Sequence, residues 1–185
     1  PTVALALLTA TLGLKEAIVL MLIPSFVTNV WQGATGGSFV TIVRRLWTLL
    51  GAGCIGTWLA AGVLARADTT HLSVVLGTVL CLYSVISLTT PQMPPPGRWE
   101  RRLSPAIGAM SGILTGLTGT FVIPAVLYFQ ALGLPRDMLV QMMGVWFTTA
   151  TLALAVSLGG HNLLPVGLAA LSGVALVPAI IGMIL

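Results

Sequence analysis

Ser25, Thr28, Asn29 and Gln32 stand at i, i+3, i+4 and i+7, so one face of a single helix carries four hydrogen-bonding side chains. The run around them is apolar, and polar groups facing lipid would lose water with nothing in exchange. Two uses remain: glue between helices, or the lining of a path for a polar solute. Hydrogen bonds between membrane helices average about 0.6 kcal/mol, which keeps glue in contention. A second group is the turn LTGLTGT, where Gly116, Thr118, Gly119 and Thr120, with Thr115, offer peptide N–H groups and hydroxyls. A half-helix starting near Thr120 would aim its partly positive end at that turn, as an anion site needs. The competing reading is a tight crossing through Gly108, Gly112 and Gly116, which have GxxxG spacing. The third group is Thr148, Thr149 and Thr151, with Gln141 two turns earlier. Threonine hydroxyls in helices can be absorbed by their own backbone carbonyls.

All these groups are uncharged donors and acceptors. An intramembrane enzyme would need a nucleophile beside a base, or clustered metal ligands. Cys54, Cys81, His71 and His161 have no such partners at useful spacing. The cysteines read as small core residues, and the histidines as interfacial. No enzyme, metal or other cofactor is expected.

The elements that must position these groups are membrane spans. The chain is 57% hydrophobic and only 6% charged, whereas soluble domains carry about 25% charged residues. The net charge of +4 comes from arginines in short loops rather than from a basic face, which argues against nucleic acid as a partner and for a lipid bilayer. No charged residue stands mid-span, which weakens any proton relay. The expected fold is all-α, a polytopic transmembrane bundle with two related halves and broken helices.

Along the chain, residues 1–12 are apolar but short, about 18 Å as a helix. Lys15 and Glu16 mark a water boundary, and a span from Ala17 to about Gln32 carries Pro24. Gly33 to Thr41 reads as a connection closed by Arg44 and Arg45, with Trp47 as an interfacial anchor. Spans follow over Leu46–Leu64 and Leu72–Leu88. Pro- and Arg-rich residues 91–104 form a surface loop that divides a first repeat, 1–90, from a second, 105–185. In Gly108–Gln130 four glycines and Pro124 interrupt an apolar run. This predicts two half-helices with a break at Thr115 to Thr120, tolerated in lipid only where protein or a watery cavity satisfies the freed backbone groups. Spans over Met138–Leu158 and Leu163–Leu185 complete the chain. Arg44, Arg45, Arg98, Arg101 and Arg102 fall on one side against Arg66 on the other, so the five-arginine side is cytoplasmic by the positive-inside rule.

A shift of 120 residues lays Leu12-Gly13-Leu14 over Leu132-Gly133-Leu134, Thr28 over Thr148 and Gly53 over Gly173. The order of features supports a repeat better than identity does. On this reading the first half lacks a counterpart of Gly108 to Ile123, and the chain starts at Pro1 with no recognisable signal peptide. The halves are parallel or inverted according to whether the broken segment crosses or turns back.

KEAIVLMLIPSFVTNVWQ, Lys15 to Gln32, and GILTGLTGTFVIPAVLYFQALGLPRDMLVQMMGVWFTTATLALA, Gly112 to Ala155, resemble the TauE/SafE sulfite exporter family of bacterial membrane proteins. The resemblance covers most of the chain and implies a multi-pass protein of the bacterial inner membrane. It further implies export of a small sulfur-containing anion such as sulfite, sulfoacetate or a related organosulfonate. Ser25, Thr28, Asn29, Gln32 and the Gly116 to Thr120 turn become pathway candidates, with Thr148 and Thr149 from the second half. The expected mechanism is alternating access; a passive anion channel or a non-transporting scaffold are the alternatives. A homo-oligomer is compatible with all three.

Overall fold

The computed structural model describes residues 2–89, 95–121, 123–160, 166–176 and 179–180. Among these there are helices and no strand: α1 Thr2–Leu12, α2 Leu14–Ala34, α3 Phe39–Arg66, α4 Thr69–Thr89, α5 Glu100–Thr118, α6 Ala125–Ala131, α7 Arg136–Gly160 and α8 Val166–Val174. The protein is an all-α membrane protein, and α2, α3 and α7 are long and apolar enough to cross a bilayer.

Two helices are longer than the charge pattern suggests. α3 begins at Phe39, so Arg44 and Arg45 lie on the helix rather than before it. α5 begins at Glu100, after a 3-10 turn over Gly97–Trp99, and takes up the end of the expected loop. The reason is a bidentate ion pair: Arg45 Nε and Nη2 donate to the two Glu100 carboxylate oxygens at 2.5 and 2.7 Å. The pair lets both helices extend beyond the apolar layer. At the opposite end, the Thr70 N–H donates to Asp68 Oδ1 (2.9 Å) as α4 starts. That backbone bond, ahead of all other causes, holds the Asp68 carboxyl below its usual range. The last span is described as helix only over α8, and His161 and Asn162 lie outside the described residues.

Glycines set the closest packing. A Cβ on Gly108 would strike the Leu49 carbonyl, and one on Gly112 the Gly53 carbonyl; at Gly116 it would stand 2.6 Å from the Thr57 oxygen. The constant offset makes α3 and α5 parallel, with backbones in direct contact. α2 and α7 cross at Gly33 and Gly144, again backbone to backbone. The Gln32 side-chain amide donates to the Val140 carbonyl, and that of Gln141 to the Gly33 carbonyl, both at 3.0 Å. Leu14 and Ile18 share a core cluster with Leu154 and Leu158 at the far ends, so α2 and α7 are antiparallel.

α2 passes Pro24 without breaking. Proline has no N–H to offer the carbonyl four residues back, here that of Leu20. Ser172 of α8 fills the gap: its hydroxyl donates to the Leu20 carbonyl (2.8 Å) and accepts from the Ile23 N–H (3.2 Å).

The broken segment turns back. α5 runs unbroken to Thr118, and the second helix starts at Ala125, not near Thr120. Gly119, with φ 71°, closes α5 in the left-handed conformation, its N–H donating to the Thr115 carbonyl at 2.8 Å. α6 then returns toward the start of α5. The Tyr128 hydroxyl lies 2.7 Å from that of Ser104 and donates to the Glu100 carbonyl at 3.1 Å. α5 and α6 therefore form a re-entrant hairpin.

Candidate functional site

The four polar residues of α2 divide into two kinds. Thr28 donates to the Pro24 carbonyl at 2.8 Å, within its own helix, and Gln32 is a strut to α7. Ser25 and Asn29 are both 5% exposed, and neither side chain makes a hydrogen bond among the described residues. The helix glue is thus the Gln32–Gln141 pair. Gln141, fully buried, also accepts from the Ser38 N–H at 2.9 Å and so holds the α2–α3 connection. Ser25 and Asn29 do none of this work.

Antiparallel register carries the crossing inward from Gly33 and Gly144. One turn deeper Asn29 comes level with Thr148, and a further turn brings Ser25 level with Thr151. Thr148 and Thr149 donate to the Gly144 and Val145 carbonyls at 2.7 and 2.9 Å, the absorption their position permits. They line an open, mostly apolar groove of about 520 Å³ with Val30, Val43 and Leu50. Thr151 is fully buried and its hydroxyl has no partner among the described residues. Burying a donor unpaired costs about 1–3 kcal/mol, so the Thr151 hydroxyl calls for an explanation.

The 116–120 turn is knotted shut by its own hydroxyls. Thr115 donates to the Thr120 carbonyl (3.0 Å) and Thr118 to the Leu114 carbonyl (2.7 Å), while the Thr118 and Thr120 hydroxyls lie 3.2 Å apart. Gly116 is packed on Thr57 and Ala60, and a Cβ on Gly119 would meet Ile18. The Trp146 indole N–H donates to the Phe121 carbonyl at 2.8 Å and pins the turn to α7. What faces the break is the carbonyl end of α5, because the helix that follows starts only at Ala125. By register, Ser25 and Asn29 of α2 thus fall near the depth of Thr148 and Thr151 on antiparallel α7, whereas Gly116, Thr118, Gly119 and Thr120 form a separate, self-satisfied turn.

Three more buried hydroxyls have no partner among the described residues, Thr9 on α1, Thr57 on α3 and Ser111 on α5, and sequence reasoning passed over all three. Ser111, Thr115 and Thr118 do follow i, i+4, i+7 spacing, a signal that could have found Ser111. Thr57 has no such neighbour in its run.

A helical membrane protein with a re-entrant hairpin and buried neutral donors is a transporter architecture. The sequence profile of the family described as sulfite exporter TauE/SafE matches residues 1–185. The chain belongs to that family. TauE/SafE proteins are membrane transporters of the anion-exporter kind. No curated protein and no solved structure matched the chain.

Proposed function

We propose that this protein exports a small sulfur-containing anion, of the sulfite or organosulfonate class, across the bacterial inner membrane as a multi-pass carrier. The observation that carries the reading is the pair Ser25 and Asn29: nine-tenths buried, uncharged, and without side-chain hydrogen-bond partners among the described residues of a membrane protein. An anion replaces its water shell with such donors, and a site of neutral groups holds it loosely enough to release it. Thr28, Thr148 and Thr149 line the approach, and Gln32 braces the crossing. Gly116, Thr118, Gly119 and Thr120 form the inner wall rather than direct ligands.

Transport proceeds by alternating access between two halves, residues 1–90 and 105–185, joined by 91–104. Antiparallel α2 and α7 support inverted halves, as does the left-handed φ shared by Gly13 (98°) and Gly133 (62°) at the two Leu-Gly-Leu turns. So does the reciprocal packing of α3 on α7 and α8 on α2.

Asn29→Ala tests the site. In reconstituted vesicles loaded with sulfite, the variant should show efflux weakened about tenfold or more, the loss of a hydrogen bond to a charged group of about 1.5–3 kcal/mol. Equal efflux in the two proteins removes Asn29 from the path. Trans-stimulation by external sulfite separates a carrier, which shows it, from a channel.

A further inference from the structure

We infer that the groove between α4 and the α5–α6 hairpin holds one acyl chain of an anionic phospholipid, whose phosphate is met by Arg98 and Arg102. The inference goes beyond the export reading and stands without it.

The groove encloses about 570 Å³, and its lining is almost wholly apolar. On α5 its wall is Leu103, Ile107, Met110 and Leu114, which stand at i, i+4, i+7 and i+11, one stripe of the helix. At 1.5 Å per residue the stripe is about 16 Å long, close to half of a hydrocarbon core of about 30 Å. A single acyl chain spans that half. Val79 and Ile86 lie on the facing wall, α4, and Ile123 and Pro124 close the deep end at the bend of the hairpin. Leu82, Leu103 and Met110 are exposed, so the groove stands open to its surroundings.

Lipid of any kind fits such walls; the mouth selects among them. Pro96 lines the groove at its outer end, and Arg98 follows two residues on. Trp99, still in helical conformation, continues the Leu103 stripe one turn outward. The Arg102 guanidinium lies over its half-exposed ring, 5.5 Å from the centroid. Both arginines are exposed, and neither has an ion pair among the described residues. The neighbouring carboxylate, Glu100, is engaged on both oxygens by Arg45. Two unopposed guanidiniums, with an aromatic ring of the interfacial kind between them, thus stand where the phosphate of a seated lipid emerges. Arginine presents paired N–H donors that match phosphate oxygens, and basic groups beside a groove between membrane helices recognise anionic headgroups. A zwitterionic lipid brings its own cation to the same place and gains less.

The test titrates dioleoyl phosphatidylglycerol, and dioleoyl phosphatidylcholine with the same chains, into the intact, delipidated protein in detergent. Native mass spectrometry counts the lipids retained. The anionic lipid is expected to bind at least tenfold more tightly and to raise the thermal midpoint. Arg98→Gln combined with Arg102→Gln should abolish the preference and leave the lipid-free midpoint unchanged, because both side chains are exposed. Arg101→Gln should keep most of it, since Arg101 lies half a turn round α5 from Leu103. Met110→Trp, which fills the groove from an exposed position, should weaken binding of the anionic lipid at least tenfold, and Leu82→Trp repeats that test from the α4 wall. Equal affinity for the two lipids, or a preference lost as fully in Arg101→Gln, overturns the headgroup site. Unchanged binding in both tryptophan variants removes the chain from the groove. A dimer that retains no lipid and dissociates in those variants assigns the groove to a second copy and overturns the inference.

Discussion

At the residue scale the recurring question is where each buried polar atom finds its partner. Pro24 and Ser172 give the clearest answer, because a defect made by one residue is repaired by another 148 positions away. The hydroxyl has value only because the proline is there. Ser172→Ala should therefore lower stability by about 1–2 kcal/mol in the native protein, and by much less in a Pro24→Ala background. Thermal unfolding of the four variants in detergent measures the coupling, and additive effects would show that Ser172 does not serve the proline. The same scale limits what sequence could reveal. Periodicity found the α2 face, and Ser25 and Asn29 are indeed its buried members. It could not separate them from Thr28, Thr148 and Thr149, whose hydroxyls close on their own carbonyls. Side-chain rotation, which no spacing encodes, decides between the two.

At the element scale the glycines divide sharply by what lies opposite them. A methyl group on Gly112 would enter the α3 backbone at Gly53, whereas one on Gly51 meets nothing within 4 Å. Gly112→Ala should cost about 1–3 kcal/mol or more from overpacking, and Gly51→Ala should gain up to about 1 kcal/mol from helix propensity. Opposite shifts of the thermal midpoint are the expected result; a tolerated Gly112→Ala would mean that α3 and α5 separate readily. The GxxxG spacing announced this seam in the sequence, and the break after it was also legible from Gly119 and Pro124. Its exact limits were not. α5 runs on to Thr118 because Gly116 serves interhelical packing rather than a turn. The helix starts at Phe39 and Glu100 were hidden for a different reason. Arg44, Arg45 and Glu100 look like loop charges until the Arg45–Glu100 pair brings two distant segments together.

At the scale of the whole molecule the arginines fall on one side more completely than loop counting indicated. α7 starts beside the end of α2, through Gln32 and Val140, so Arg136 joins the end that holds Arg44, Arg45, Arg101 and Arg102. His71, at the start of α4, lies at the other. In a background with Cys54 and Cys81 replaced by alanine, Arg136→Cys should react with an impermeant maleimide only in inside-out vesicles. His71→Cys should react in intact cells. The reverse pattern would invert the orientation.

Trp146 links the crossing to the hairpin. Its ring lies against Gly53, and its N–H holds the Phe121 carbonyl. Since α2 and α7 meet through bare backbone at Gly33 and Gly144, the natural motion is a scissoring of α7 about that fulcrum. Such a swing must drag the tip of the hairpin along or sacrifice the indole tether. Hairpin tip and α7 are thereby geared together.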